Sequence, residues 1–222
     1  MSIRVVLADD HGTVRSGLTA ILERAEGIEV VGEASDGAAA VVNARALRPD
    51  VVLMDVRMPV VDGVAATREI VSDGTAAVLV LTTFDEDEVV LSAIRAGAAG
   101  FLLKTAEAAE LVSAVRRVAA GEGVVAPEVT RRVLRELSTA SARVGPAEEG
   151  EAAAQLERLT VRERDVLTQL GAGASNSQLA RELGISEATA KTHVSRVLAK
   201  LGVQSRTQAA LVARDAGLMD ST

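Results

Sequence analysis

The sequence predicts an α/β chain: a doubly wound, five-stranded parallel sheet, followed by an all-α domain of four helices carrying a helix-turn-helix. Three observations predict it. Over the first 121 residues, five short apolar runs alternate with helical patterns, as in a parallel sheet covered on both faces. The charge balance then changes. Residues 1–122 hold 11 Lys/Arg against 19 Asp/Glu, whereas residues 158–214 hold 9 against 4. Finally, three capping-box signatures fall in the tail, at Thr160/Glu163, Ser175/Gln178 and Ser205/Gln208.

The predicted strands are Ile3–Ala8, Ile28–Gly32, Val51–Met54, Val78–Leu81 and Gly100–Leu103, and their apolar continuity fits burial on both sides. Helices are expected at about 13–25, 37–47, 62–72, 86–96 and 106–120. Gly27, Gly97 and Gly121 fall just past the ends of three of them, where helices stop. From 122 to 155 the periodicity lapses into a Ser-, Ala-, Gly- and Glu-rich linker, with one possible helix over 128–137. Residues 156–218 predict helices at 161–170, 176–183, 187–201 and 206–216. The segment Leu179–Ser186 reads as a short helix, a Gly turn and the start of a longer helix.

Composition narrows the function classes. The longest uncharged run, Val166–Ala180, is too short and too polar for a membrane span. Only a five-residue apolar stretch precedes Asp9, which predicts no signal peptide. The chain has no Cys, hence no disulfide frame, thiolate metal site or cysteine nucleophile, and the cytoplasm is the expected compartment. Two Phe and no Tyr or Trp argue against a base-stacking platform for single strands.

In a parallel sheet, ligands sit beyond the carboxyl ends of the strands. Here those ends carry Asp9 and Asp10, Asp55, Thr82 and Thr83, and Lys104. Three close carboxylates stay ionised together if a divalent cation lies among them, and an all-oxygen donor set favours Mg2+. A carboxylate there can attack a phosphoryl group, with Lys104 neutralising the phosphoryl oxygens and Thr82 donating a hydrogen bond to them. Arg57 could lend the metal only its backbone carbonyl, and Met58-Pro59 makes a rigid turn after the site. His11 is expected at the rim.

The segments LADDH (7–11), LMDVRMP (53–59), DG (62–63), LTTF (81–84) and GFLLK (100–104) resemble the receiver domain of bacterial response regulators over residues 1–121. The resemblance implies that Asp55 takes a phosphoryl group from a histidine kinase. It implies too that Asp9, Asp10 and Asp55 bind Mg2+ with the Arg57 carbonyl. It further implies a switch in which Thr82 turns toward the phosphoryl group and Phe101 moves inward. With Phe at 101, no phenol hydroxyl takes part.

In the tail, Ala190, Val194, Val197, Leu198 and Leu201 form the inner face of the 187–201 helix. Lys191, Thr192 and Ser195 can reach base edges in a major groove, Arg196 and Lys200 suit phosphates or guanine, and Thr189 near the helix start suits a phosphate. LTVRERDVL (159–167), SNSQLARELGIS (175–186), TAKTHVSRVLAKLGV (189–203) and SRTQAAL (205–211) resemble the LuxR-type DNA-binding domain. That resemblance implies that helix 187–201 enters the major groove of double-stranded DNA and that helix 206–216 pairs two domains. Ala209, Ala210 and Ala213 are small enough for close helix contact there. Ser195 departs from the basic or amide residue of many relatives.

Together the halves resemble a NarL/FixJ-type two-component response regulator. The resemblance implies a transcription regulator rather than an enzyme, one that catalyses only its own phosphoryl transfer and dephosphorylation. It also implies a homodimer on phosphorylation or DNA binding. A rival, a phosphohydrolase turning over an aspartyl phosphate, is disfavoured by the attached DNA-binding module and the lack of a substrate-recognition cap.

Overall fold

The computed structural model describes residues 2–82, 87–125 and 156–218. They fall into two compact units, each with its own core.

The first unit runs β1 (Ile3–Ala8), α1 (Gly12–Glu23), β2 (Ile28–Ala34), α2 (Gly37–Leu47), β3 (Val51–Asp55) and α3 (Gly63–Ser72). It continues with β4 (Ala77–Thr82), α4 (Asp87–Arg95), β5 (Gly100–Leu103), α5 (Ala108–Ala119) and β6 (Val124–Val125). All neighbouring strands are parallel, in the order β2-β1-β3-β4-β5-β6. The five predicted strands are present, and β2, β3 and β4 each run one or two residues further than expected. The sixth strand is a difference. Val124 and Val125 pair with Gly100 and Phe101, so the sheet extends past residue 121, where the first domain was expected to end. The helix expected over 128–137 lies outside the described residues, as do Thr83 and Phe84.

Alternation divides the strand side chains between two faces. Val5, Leu7, Leu53, Leu79, Leu81 and Leu102 join Leu22 of α1 and Leu111, Val115 and Val118 of α5 in one core. Val6, Val52, Met54, Val80 and Phe101 alternate to the opposite face and are equally buried. Helices α2 and α3 start where Asp36 and Asp62 each accept a hydrogen bond (2.8 Å) from a first-turn amide, Ala39 and Ala65.

The second unit has four helices: α6 (Val161–Gly171), α7 (Asn176–Leu183), α8 (Glu187–Leu201) and α9 (Arg206–Asp215). Reciprocal capping boxes open α6, α7 and α9, and Ser186 caps α8 through the Thr189 amide. Gly184, at φ +65°, ends α7 in a left-handed turn that a β-carbon would strain, and this sends the chain directly into α8. The core joins Val166, Leu167 and Leu170 of α6, Leu179 of α7, Ala190, Val194, Val197 and Leu201 of α8, and Ala209 and Ala213 of α9.

That core corrects the expected dimer face. Ala209 and Ala213 have no solvent exposure, so their small side chains admit the close approach of α9 to its own domain and offer nothing to a second copy. Ala210 is half-buried on the same helix.

Candidate functional site

Four strand ends build the acidic site of the first unit. Asp9 follows β1, Asp55 is the last residue of β3, Thr82 closes β4, and Lys104 follows β5. Because the strands are parallel, these ends share one edge. Backbone hydrogen bonds fix two of them there, from Asp9 N–H to the Ala34 carbonyl (3.2 Å) and from Lys104 N–H to the Thr82 carbonyl (2.8 Å).

Lys104 draws the side chains together. Its Nζ lies 2.8 Å from Asp9 Oδ2 and 2.7 Å from Asp55 Oδ2, so one ammonium serves two buried carboxylates. Asp9 Oδ1 accepts the His11 backbone N–H at 2.8 Å, and Arg15 Nη1 donates to the Asp9 carbonyl at 2.6 Å. Burial pushes the Asp55 carboxyl above its ordinary value, more than the Lys104 ammonium and the Arg57 backbone pull it down. Burial also opposes the Lys104 charge, but the hydrogen bonds to Asp55 and Asp9 outweigh it and raise that ammonium above its usual range. Asp10 is exposed, with Oδ1 2.6 Å from His11 Nδ1. Single ligand atoms of Asp9, Asp10, His11 and Asp55 all lie within 4.8 Å of one another, a grouping that can hold a metal ion.

The β3–α3 loop folds back hard against Asp55. Gly63 N–H donates to the Val56 carbonyl at 2.8 Å, and a β-carbon on Gly63 would lie 1.9 Å from the Asp55 carbonyl oxygen. Within the loop, Val61 N–H donates to the Pro59 carbonyl (2.8 Å) across Val60, whose φ of +67° closes a γ-turn unusual for a β-branched residue.

On α8, Thr189, Lys191, Thr192, Ser195 and Arg196 are exposed, opposite buried Ala190, Val194 and Val197. The Thr189 hydroxyl is 2.8 Å from that of Ser186, and the Thr192 hydroxyl donates to the Ala188 carbonyl at 3.1 Å. Lys200, expected to meet phosphates or guanine, is exposed as well but already has a carboxylate partner. Its Nζ lies 2.6 Å from Glu163 Oε2.

The sequence pattern of the response regulator receiver domain matches residues 5–116, and that of the bacterial regulatory proteins of the luxR family matches residues 157–213. The chain belongs to the LuxR-type response regulators. It is 43% identical to the transcriptional regulatory protein LiaR of Bacillus subtilis, over 95% of this chain and 96% of that one. It is 40% identical to the response regulator protein VraR of Staphylococcus aureus, over 96% and 97%. Among solved structures, the response regulator ChrA of a heme-sensing two-component system is 41% identical and covers 98% of each chain, with a TM-score of 0.55.

This regulator therefore joins a receiver domain to a LuxR-type DNA-binding domain, and no helix among its described residues is long and apolar enough to cross a membrane. Its Phe101 pairs with Val80 of β4 and is fully buried. His11 stands exposed beside Asp10, and Arg15, one helical turn on, reaches the Asp9 carbonyl, although sequence alone did not single Arg15 out. Their spacing at the mouth of the site was the available signal. Glu163 gave no such signal beyond its capping box, because its partner lies 37 residues away.

Proposed function

We propose that Asp55 is the phosphoacceptor of this response regulator, that Asp9, Asp10 and Asp55 with the Arg57 backbone carbonyl hold Mg2+, and that phosphorylation controls DNA binding by the second domain. The observation that carries this reading is the Lys104 ammonium shared between Asp9 and Asp55 at 2.8 and 2.7 Å. The donor set fits the metal. Two buried carboxylates share a single cation, and a third carboxylate stands exposed beside them, leaving excess negative charge on hard oxygen ligands. When bound, the ion would neutralise phosphoryl oxygens.

The chain's own residues do the rest. A carboxylate oxygen of Asp55 attacks phosphorus. The P–N bond to the histidine of a sensor kinase breaks, and the leaving imidazole nitrogen keeps the electron pair and takes a proton. Lys104 moves its charge from the carboxylate toward the new phosphoryl group, and Thr82 donates its hydroxyl to the same group. Phe101, on the strand that leads to Lys104, is the packing element that reads the change. We assign the receiver to residues 1–121, prolonged by β6, the linker to the segment ending at 155, and the DNA-binding domain to 156–218. Exposed Thr189, Lys191, Thr192, Ser195 and Arg196 face DNA, and a phosphorylated homodimer binds two half-sites.

The test is duplex binding by the full chain with and without acetyl phosphate and Mg2+, beside Asp55→Ala. Tighter binding that Asp55→Ala abolishes is expected. Equal binding in all three would remove Asp55 as the input.

A further inference from the structure

The first turn of α6 holds the far ends of both helices of the helix-turn-helix. Arg162 donates from Nη2 to the Leu183 carbonyl, which ends α7. Glu163, one residue on, takes the ammonium of Lys200 in the last turn of α8 at 2.6 Å, and the same ammonium donates to the Arg158 carbonyl at 3.2 Å.

Glu163 is no ordinary surface acid. Only 6% of it is exposed, and its Oε2 also accepts the Thr160 backbone N–H at 2.8 Å and the Thr160 hydroxyl at 3.0 Å. One oxygen thus closes the capping box of α6 and anchors the recognition helix. Without Lys200, a buried carboxylate would lose its only cation among the described residues. A lysine already neutralised in this way has little charge to give a DNA phosphate, since gaining the phosphate means giving up the carboxylate.

We propose that Lys200 is a positioning residue: its ion pair with Glu163, backed by Arg162, sets the angle at which α8 meets DNA, and the phosphate charges fall to Lys191 and Arg196. These two cations are exposed on α8, as is Lys200, but of the three only Lys200 is held by a carboxylate among the described residues. The inference rests on the DNA-binding reading of the second domain.

The experiment measures binding of the full chain, treated with acetyl phosphate and Mg2+, to a duplex that wild-type protein so treated selects from a random-sequence library, as a function of KCl. It is done at a temperature where circular dichroism shows each variant folded. Lys200→Met and Glu163→Gln should each weaken binding about tenfold, the lower end of what supporting residues are worth at other sites. The slope of log affinity against log salt should stay unchanged, and Lys200→Arg should restore binding. Lys191→Met, by contrast, should flatten the slope by about 0.9, the signature of one lost phosphate contact.

Three results would overturn the proposal. A slope flattened by Lys200→Met, with binding intact or tighter in Glu163→Gln, would make Lys200 a direct phosphate contact. Wild-type affinity in both folded variants would leave the pair a matter of stability alone. Wild-type protein that selects no duplex would overturn the DNA-binding reading as well. Should Lys200→Met not fold, the near-isosteric Glu163→Gln and the charge-preserving Lys200→Arg still decide.

Discussion

Two glycines of the receiver should respond to alanine with opposite signs. At Gly63 the added β-carbon would lie 1.9 Å from the Asp55 carbonyl oxygen and 2.9 Å from Val56 Cα. Restoring an ordinary contact needs about 1.5 Å of movement. Both clashing atoms are backbone, so no rotamer can absorb it. Either α3 withdraws, losing the hydrogen bond from Gly63 N–H to Val56, or the end of β3 shifts and carries the Asp55 carboxylate off the Lys104 ammonium. Overpacking usually costs about 1–3 kcal/mol, and a rigid clash belongs at or above the top of that range. Gly63→Ala should therefore destabilise the receiver by about 3 kcal/mol or more, lowering its melting temperature by roughly 10 °C, and should slow phosphoryl uptake from acetyl phosphate. Gly17 lies exposed within α1, with nothing within 4 Å of an added β-carbon. Gly17→Ala should stabilise by about 0.5–1 kcal/mol through the unfolded chain's lost freedom. Urea unfolding followed by circular dichroism measures both. A Gly63→Ala receiver within about 1 kcal/mol of wild type, with normal phosphoryl uptake, would refute the close-approach argument.

Other predictions test separate parts of the structure. Val60 adopts φ +67° and the residue is 89% exposed, so Val60→Gly relieves a left-handed backbone with little packing to lose. The urea midpoint should rise by the equivalent of about 0.5–1 kcal/mol, and a fall would contradict the strain. The Lys200 hydrogen bond, with those from Thr160, holds the Glu163 carboxyl down at about 2 from an ordinary 4.5. A depressed carboxyl stabilises the fold fully above its unfolded value and loses that contribution as pH falls through the folded one. The stability difference between wild type and Glu163→Gln should thus be constant above pH 5 and shrink toward pH 2. Its full size should be about 1–2 kcal/mol, since Lys200 is partly solvated. A difference that holds its size down to pH 2 would rule out this linkage. Ala213→Leu should destabilise the DNA-binding domain by about 1–3 kcal/mol, because three carbons enter a filled core. An unchanged melting temperature would return Ala213 to the surface.

The sequence made the receiver site readable for a physical reason. Each functional group stands at the end of a buried apolar run, and parallel strands bring such ends to one edge whatever the loops between them. Asp9, Asp55 and Lys104 could thus be placed together although 95 residues separate Asp9 from Lys104. Other features depend on the third dimension. Val124 and Val125 are too few to form a pattern, and only their pairing with β5 makes them a strand. A stripe of alanines has the same period whether it meets a second copy or its own core, so Ala209 and Ala213 were misread until burial separated the cases. Lys200 sits on α8 beside other exposed cations, and nothing local marks it as the one paired with Glu163.

The shared ammonium has a mechanical consequence. Lys104 hangs from β5, while its two anchors end β1 and β3, with β4 lying between β3 and β5. It works as a tie rod across the open edge of the sheet, resisting the splay that backbone ladders alone restrain weakly at strand ends. Chemistry that occupies the Asp55 oxygen slackens one of the rod's two anchorages while the Asp9 anchorage holds. The load on β5 becomes lopsided, and the strand it acts on is the one that carries Phe101.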